Sequence, residues 1–405
     1  MCIRDSIALH GIWSWVSADN RAIIVDFLSR KLKPGGVAYL SYNSPAGWSP
    51  MAPLRRLMVQ HAETMSPRGL PVLGKVAAAL AFVDRLMDTG PRYAAAQPEL
   101  TARLATLRGQ DHTYIAHEFF NRNWQPMSFA DMAGALAPAG LDFACPATYL
   151  EHLDPVNLSA PQTELLAGVG DVALRESARD LMVNQSFRRD YWIKGARRLD
   201  AVERAAALRR QRVILGVPRG QVALEIDGAL GKVGLNAGLY GAVLDLLGEH
   251  RVLTLEQLEL ALAPRAAGLE LILQTIITLC EKGAVAAARA PLEITAARPS
   301  CSRLNAGLLE RARSDGLLPY LASPVTGGGV GVARIDQLFL LARARGLASA
   351  PQWARFAGDT LAAQGQTLMV DGAPATPAQL ADDLARQAAR FASLVLPVLA
   401  ALGVA

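Results

Sequence analysis

Hydrophobic positions recur along this chain in two periods, and the changes of period mark out its elements. Ile7–Leu9 is a short apolar run, and Ser17 is placed to cap a helix. From Ala22 to Leu32 the apolar positions Ile23, Ile24, Phe27, Leu28 and Leu32 return at helical spacing. Lys31-Leu32-Lys33-Pro34-Gly35-Gly36 stops that helix with cations, proline and glycine in the order that helix ends favour. Val37–Ser41 reads as the next strand. Strand, helix and strand make one crossover of an open α/β sheet.

From Pro53 to Leu107 the pattern is helical, with breaks at Ser66-Pro67-Arg68-Gly69 and Thr89-Gly90-Pro91. Residues 112–124 (HTYIAHEFFNRNW) gather His, Glu and aromatics, and Phe129–Leu136, Gly140 and Leu141–Cys145 read as helix, turn and strand. After Asp154-Pro155 the texture changes. Residues 161–215 hold a helical stretch, an aromatic cluster (FRRDYWIKG, 187–195) and an Arg-rich helix. Residues 236–288 predict a helix, a Leu-rich helix and a third helix, followed by Gly283-Ala284-Val285, an order that suits a small winged-helix-like module. Residues 302–405 add helices around a Gly-rich loop (SPVTGGGVG, 323–331) and end in the apolar helix LVLPVLAALGV (394–404). No internal repeat is evident.

Composition narrows the class. In 405 residues, 51% are hydrophobic and 19% charged, which suits a globular chain of several domains. The net charge of +5 comes from 35 Arg against 6 Lys, and no dense basic run points to nucleic acid. Cys2, Cys145, Cys280 and Cys301 are scattered, without a CxxC pair, which argues for a reducing compartment and against a disulfide framework or zinc site. No apolar run approaches the ~18 residues of a membrane span, and the start lacks a secretory signal. The expectation is a cytoplasmic protein with no membrane, nucleic-acid or metal partner.

Ligands of open α/β sheets gather beyond the carboxyl ends of the strands. Two such ends are visible, Leu9-His10-Gly11-Ile12-Trp13-Ser14-Trp15 and Ser41-Tyr42-Asn43-Ser44-Pro45-Ala46-Gly47-Trp48. By composition alone they serve equally as ligand contacts or as Trp residues packed beneath a helix with Asn43 capping a turn. His117 and Glu118 sit on a predicted helix, where adjacent residues point about 100° apart. His117 and Asn121 share a face. On motif strength a hydrogen-bonded scaffold is the favoured reading of His117-Glu118. Metal binding has no second His at the needed spacing. Gly327-Gly328-Gly329 lacks the Lys-Ser/Thr of a phosphate loop and reads as a flexible turn. Arg209, Arg210 and Arg212 read as a solvated helix face, with no interleaved aromatics. The helix GLELILQTIITLCE (268–281) carries no basic residue, so it reads as a core or partner helix rather than a DNA reader.

LHGIWSWVSADNR followed by LKPGGVAYLSYNSPAGW resembles the fourth and fifth strand region of a group of class I S-adenosylmethionine-dependent methyltransferases that carry a methyltransferase regulatory domain. HTYIAHEFFNRNWQPMSFADMAGALAPAGLDFACPA is similar to the end of that domain and the return to the last strands. FRRDYWIKG, LYGAVLDLLGEH, CSRLNAGLL and LASPVTGGGVGV resemble the C-terminal region of bacterial protein-lysine methyltransferases of this group. The likeness covers almost all of residues 7–405.

The resemblance implies an α/β fold: the C-terminal part of a Rossmann-like methyltransferase sheet with a helical insert, followed by a mainly α region. The implied layout is a partial Rossmann-like domain (7–48), a helical regulatory domain (49–128) and a return to the sheet (129–155). A helical linker (156–235), the winged-helix-like module (236–290) and a C-terminal helical domain (291–405) follow. It implies S-adenosylmethionine as co-substrate and a protein lysine as acceptor. His10, Tyr42 and Asn43 are the implied catalytic residues, with Trp13, Trp15, Trp48, Tyr114, His117 and Glu118 as substrate contacts.

Such enzymes hold the cofactor with a Gly-rich loop after the first strand and an acidic residue after the second, and neither is found here, so no cofactor-binding residue is assigned. Met1–Ser6 also matches the translation of a transposon-end adapter used in sequencing libraries. The expectation is that the gene continues upstream in frame, and that this chain is a fragment binding the cofactor weakly or not at all. The alternative is a non-catalytic regulatory or interaction protein built from the helical and C-terminal modules. Oligomeric state is left open.

Overall fold

The computed structural model describes residues 4–370 and 373–405, so Met1–Ile3 of the suspected adapter lie outside the described residues. Two compact units divide the chain: Met1–Arg198 with Gly228–Gly231, and Leu199–Asp227 with Lys232–Ala405.

In the first unit, β1 (Arg4–Leu9), α1 (Ala18–Lys31) and β2 (Leu32–Asn43) form the expected crossover, with β1 and β2 parallel. Arg4–Ser6 already belong to β1, where Asp5 meets Lys33 at 2.6 Å. The Ser17 hydroxyl caps α1 by accepting from the Asn20 N–H at 3.3 Å. A single turn α2 (Pro45–Trp48) leads into α3 (Ala52–Thr64), α4 (Val72–Asp88), α5 (Arg92–Ala95), α6 (Leu100–Arg108) and α7 (His112–Phe120). The insert is held by its own core, with Met58, Val76, Ala79, Leu100 and Ile115 completely buried. Next come α8 (Phe129–Leu136), β3 (Leu141–Pro146), α9 (Asp154–Asn157), α10 (Ala160–Ala167), α11 (Val172–Met182) and β4 (Phe187–Lys194). Ser128 and Asp131 close a reciprocal capping box at the start of α8.

The sheet order is β1-β2-β4-β3, with β4 antiparallel to both neighbours. This corrects the expected helical linker over 156–235, because FRRDYWIK is an interior strand of the sheet. Ala38, Leu40 and Tyr42 of β2 lie opposite Trp192, Asp190 and Arg188 on one face. That face packs against Trp13, Leu28, Phe129 and Met132, and the Phe129 and Trp192 rings stack with centroids 5.5 Å apart.

In the second unit, α12 (Ala201–Arg209), β5 (Arg212–Leu215), β6 (Glu225–Gly228), β7 (Gly231–Gly234) and α13 (Ala237–Leu246) precede β8 (Leu253–Thr254), α14 (Leu255–Leu262), α15 (Leu269–Glu281) and β9 (Val285–Ala287). The three expected helices are present, and the Val285 that follows them opens β9, which pairs with the earlier strand β5 in a sheet ordered β8-β5-β9. α15 buries Ile272, Ile276 and Leu279 in the module's core. Arg209 is paired, not merely solvated: its guanidinium grips Glu259 at 2.6 and 2.9 Å.

The remainder comprises α16 (Pro291–Arg311), β10 (Tyr320–Ser323), β11 (Gly328–Gly331), α17 (Arg334–Ala344), α18 (Ala350–Ala362), β12 (Met369–Val370), β13 (Ala373–Pro374), α19 (Pro377–Arg390) and α20 (Leu396–Ala401). The Gly-rich loop is therefore half strand: β10 and β11 form an antiparallel hairpin. A wider turn at Phe391–Val395 joins α19 to α20, so that 377–401 is one helix. Pro397, which has no N–H to give, lies just beyond that turn. By length and composition this helix is apolar enough to cross a membrane, a length that apolar runs alone did not disclose. Its Leu384, Ala388, Phe391, Val398 and Leu399 are buried in the core of this unit.

Candidate functional site

A cavity of about 650 Å³ opens at the carboxyl ends of the parallel strands β1 and β2. After β1 the chain turns at Gly11, whose φ of +65° a residue with a Cβ adopts only at a cost. The Gly11 N–H donates to the Ser41 hydroxyl at 2.9 Å, tying this turn to β2. Asn43, at the end of β2, is held on both backbone sides. Its N–H donates to the Ser14 hydroxyl at 2.8 Å, and its carbonyl accepts from the Met127 N–H at 2.8 Å. The Ser44 N–H then donates to the Ser186 carbonyl.

Gly47 permits the next close approach. A Cβ there would lie 2.6 Å from the Ser186 Cα and 2.7 Å from the Asn184 carbonyl oxygen. Gly47→Ala is expected to cost ~1–3 kcal/mol, because backbone rather than a flexible side chain must move. A lowered urea midpoint with unchanged slope would register it.

Of the residues expected at the site, His10, Trp15, Asn43, Trp48, Tyr114, His117 and Glu118 line this cavity. Two do not. Tyr42 is fully buried on the opposite face of β2, because strand side chains alternate, and its hydroxyl donates to Asp190 at 2.7 Å. Trp13 is likewise fully buried, with its indole N–H directed at the Met127 sulfur, 3.0 Å away. Both are core residues. The His117–Asn121 face pair also fails, because α7 ends at Phe120 and Asn121 is already extended (ψ 130°).

The walls are aromatic and the polar groups few. Trp15 lies against His117 (centroids 5.9 Å apart), and Trp48 against Phe119 (5.5 Å) and Trp124 (5.0 Å). His10 Nδ1 is 2.8 Å from the Tyr39 hydroxyl, and its ring meets Phe187 edge-on. The Glu118 carboxylate accepts a long 3.5 Å hydrogen bond from the Asn43 amide. Burial pushes the Glu118 carboxyl above the usual carboxylate range, partly opposed by Asn43, His117 and Arg55. Arg55 lies over the Trp124 ring at 4.3 Å and donates to the Asn121 carbonyl at 2.6 Å, and burial brings its guanidinium down to about 10. Arg103, which donates to the Gly47 carbonyl, and Phe187 also face the cavity. Neither was foreseen: Arg103 lies in an unremarkable helical stretch. Phe187 heads an aromatic cluster whose place in the sheet was not apparent.

The cavity joins aromatic walls to one half-buried carboxylate, Glu118, and one guanidinium, Arg103. The two parallel strands end in His10-Gly11 and Asn43-Ser44, and neither leads through a Gly-rich turn into a helix start. Among the described residues no cluster of His, Cys, Asp or Glu could hold a metal ion.

Residues 111–194 match the family described as a predicted methyltransferase regulatory domain, which here spans α7 through β4. The uncharacterized protein sll1526 of Synechocystis sp. is 32% identical over 401 residues, covering 99% of this chain and 78% of its own length. The uncharacterized protein RP789 of Rickettsia prowazekii is 23% identical over 189 residues, covering 45% of this chain and 32% of its own. The solved structure of PKMT2 from Rickettsia typhi superposes with a TM-score of 0.65 at 17% identity, over 98% of this chain and 80% of PKMT2. Its complex with AdoHcy gives 0.66 at 16% identity, over 99% and 81%. The chain therefore belongs to the same family as sll1526, and its residues 111–194 match the predicted methyltransferase regulatory domain.

Proposed function

We propose that this chain forms the acceptor-facing wall of an S-adenosylmethionine-dependent methyltransferase whose acceptor is a protein lysine. The observation that carries the reading is the meeting of Trp15, Trp48, Tyr114 and Phe187 with the single carboxylate of Glu118 at the ends of two parallel strands. PKMT2, whose fold this chain shares, has been solved with AdoHcy. Its name denotes a protein-lysine methyltransferase, which supports the same acceptor here. The co-substrate supplies an electrophilic methyl group on a sulfonium. The chain's own residues act on the acceptor. The aromatic walls admit an alkyl chain and exclude water. Glu118 draws the terminal ammonium inward, and Asn43 steadies the Glu118 carboxylate. The amine must lose a proton before its lone pair can attack, and His10, Glu118 and His117 are the groups on the wall able to accept it. We place the protein in the cytoplasm, on the ground that its cysteines are scattered and form no CxxC pair.

The gene product, given S-adenosylmethionine with a labelled methyl group and cell proteins, should label lysine side chains, as read by mass spectrometry. Glu118→Gln should lower the labelling at least about tenfold. Intact folded protein that labels nothing would overturn the reading in favour of a non-catalytic interaction protein.

A further inference from the structure

Beneath the cavity lies a buried ion network that the acceptor chemistry does not use. Arg188, on the covered face of β4, is 1% exposed. Its guanidinium donates to Asp180 at 2.6 Å, to Glu176 at 3.1 Å and to Asp190 at 2.9 and 3.1 Å. It also lies over the Phe129 ring at 4.6 Å. Two of these carboxylates reach on to β2. Asp190 accepts from the Tyr42 hydroxyl at 2.7 Å, and Asp180 from the Ser44 hydroxyl at 3.3 Å. Tyr42 and Ser44 flank Asn43, the residue whose amide meets Glu118 in the cavity.

From this geometry we infer that Arg188 is a positioning residue: through Asp190–Tyr42 and Asp180–Ser44 it clamps both neighbours of Asn43 and so fixes the Asn43 amide against Glu118. A simpler core would fill this space with apolar side chains at less cost, since a buried ion group rarely adds net stability. What charge-assisted hydrogen bonds supply is direction, and here they converge on the last residues of one strand. Asn43 is thereby secured from every side: Ser14 and Met127 hold its backbone, and the network holds the residues before and after it.

The inference rests on the proposed role of the Asn43–Glu118 pair, and its test separates the two. Arg188→Met is too disruptive to decide it, so Tyr42→Phe combined with Ser44→Ala carries the experiment, since both leave the rings and backbone in place. In a nitrogen-15-labelled chain the Asn43 side-chain amide, identified by its loss in Asn43→Asp, should shift or broaden in the double variant while melting remains cooperative. Butylammonium, a stand-in for a lysine side chain, should bind about fivefold more weakly by Trp fluorescence, and in an Asn43→Ala background the double variant should add nothing. An unmoved Asn43 amide, or losses that simply add, would overturn the inference. A wild-type chain that neither binds butylammonium nor transfers methyl groups would instead sink the functional reading, while the amide signal alone still decides the positioning role.

Discussion

Arg188→Met should destabilise the first unit by ~3–5 kcal/mol, a large share of the 5–15 kcal/mol that holds a typical protein folded. The substitution removes the one cation that Glu176, Asp180 and Asp190 share inside the protein. Asp180 and Asp190 would then face each other and Glu176 with no buried cation between them, Arg175 reaching only Glu176, at 3.7 Å. The loss should depend on pH, and its sign follows from the wild-type groups. Burial raises the Asp180 carboxyl to about 6 and that of nearby Glu151 to about 7, although the Arg188 charge opposes both shifts. A folded-state pKa above the unfolded one gives stability that is complete below the unfolded value and is lost as pH rises through the folded value. For these two groups the loss runs from about pH 4 to about pH 7. Without Arg188 the carboxylates should take up protons still more readily, so the variant should be most defective at pH 8 and partly restored at pH 5. Urea unfolding at the two pH values measures this directly. A variant equally stable at both would show that the carboxylates do not depend on Arg188.

The same network explains why part of the fold was hidden in the sequence. Helix α1 was legible because its apolar positions return at helical spacing between a cap and a stop, and β2 because a short apolar run follows that stop. β4 was not. Its core-facing positions are Arg188, Asp190 and Trp192, so a strand interior to the sheet reads as charged and aromatic rather than as alternating. Hydrophobic patterning finds a strand only where burial is apolar, and here burial is partly ionic. β9 and β5 show a second limit: the partner of a short strand can come from a segment well before it.

At the site, the strand ends were readable as a pair because both place aromatics and polar groups just past an apolar run, where an α/β sheet opens its crevice. The choice within each end was harder. Tyr42 falls in step with Ala38 and Leu40 and so belongs to the core face, while Asn43 falls in step with Tyr39 and Ser41 on the other. Trp13 and Trp15 share one tight turn but point apart, one into the core and one to the cavity. Arg103 and Phe187 arrive from distant segments, and only the packing of α6 and the pairing of β4 bring them there.

Glu118→Gln should weaken butylammonium binding to the cavity by roughly thirtyfold, about 2 kcal/mol, the scale of a hydrogen bond to a charged group. The amide keeps the size and the hydrogen bond with Asn43 but removes the charge, so a purely structural role for Glu118 predicts little change. The aromatic walls alone attract a cation by about 1 kcal/mol or less where water has access. The pH profile makes the distinction sharper. Burial holds the Glu118 carboxyl above its ordinary value, so it takes up a proton at a higher pH than a free carboxylate does. A protonated carboxyl cannot attract the ammonium, so wild-type binding should strengthen as pH rises through that raised pKa and fade as pH falls. The bound cation favours the charged form, so binding should release protons on the acidic side of that range. Glu118→Gln should show neither the acidic limb nor the proton release. Calorimetry in two buffers of different ionisation enthalpy reads both effects in one experiment. Wild-type binding that is flat in pH and matched by the variant would leave the aromatic walls as the sole attraction and remove Glu118 from the acceptor site. If the limb is present, Glu118 must share the cavity with the substrate's charge, and an acceptor without a cation, such as a hydroxyl, should then bind wild-type and variant alike.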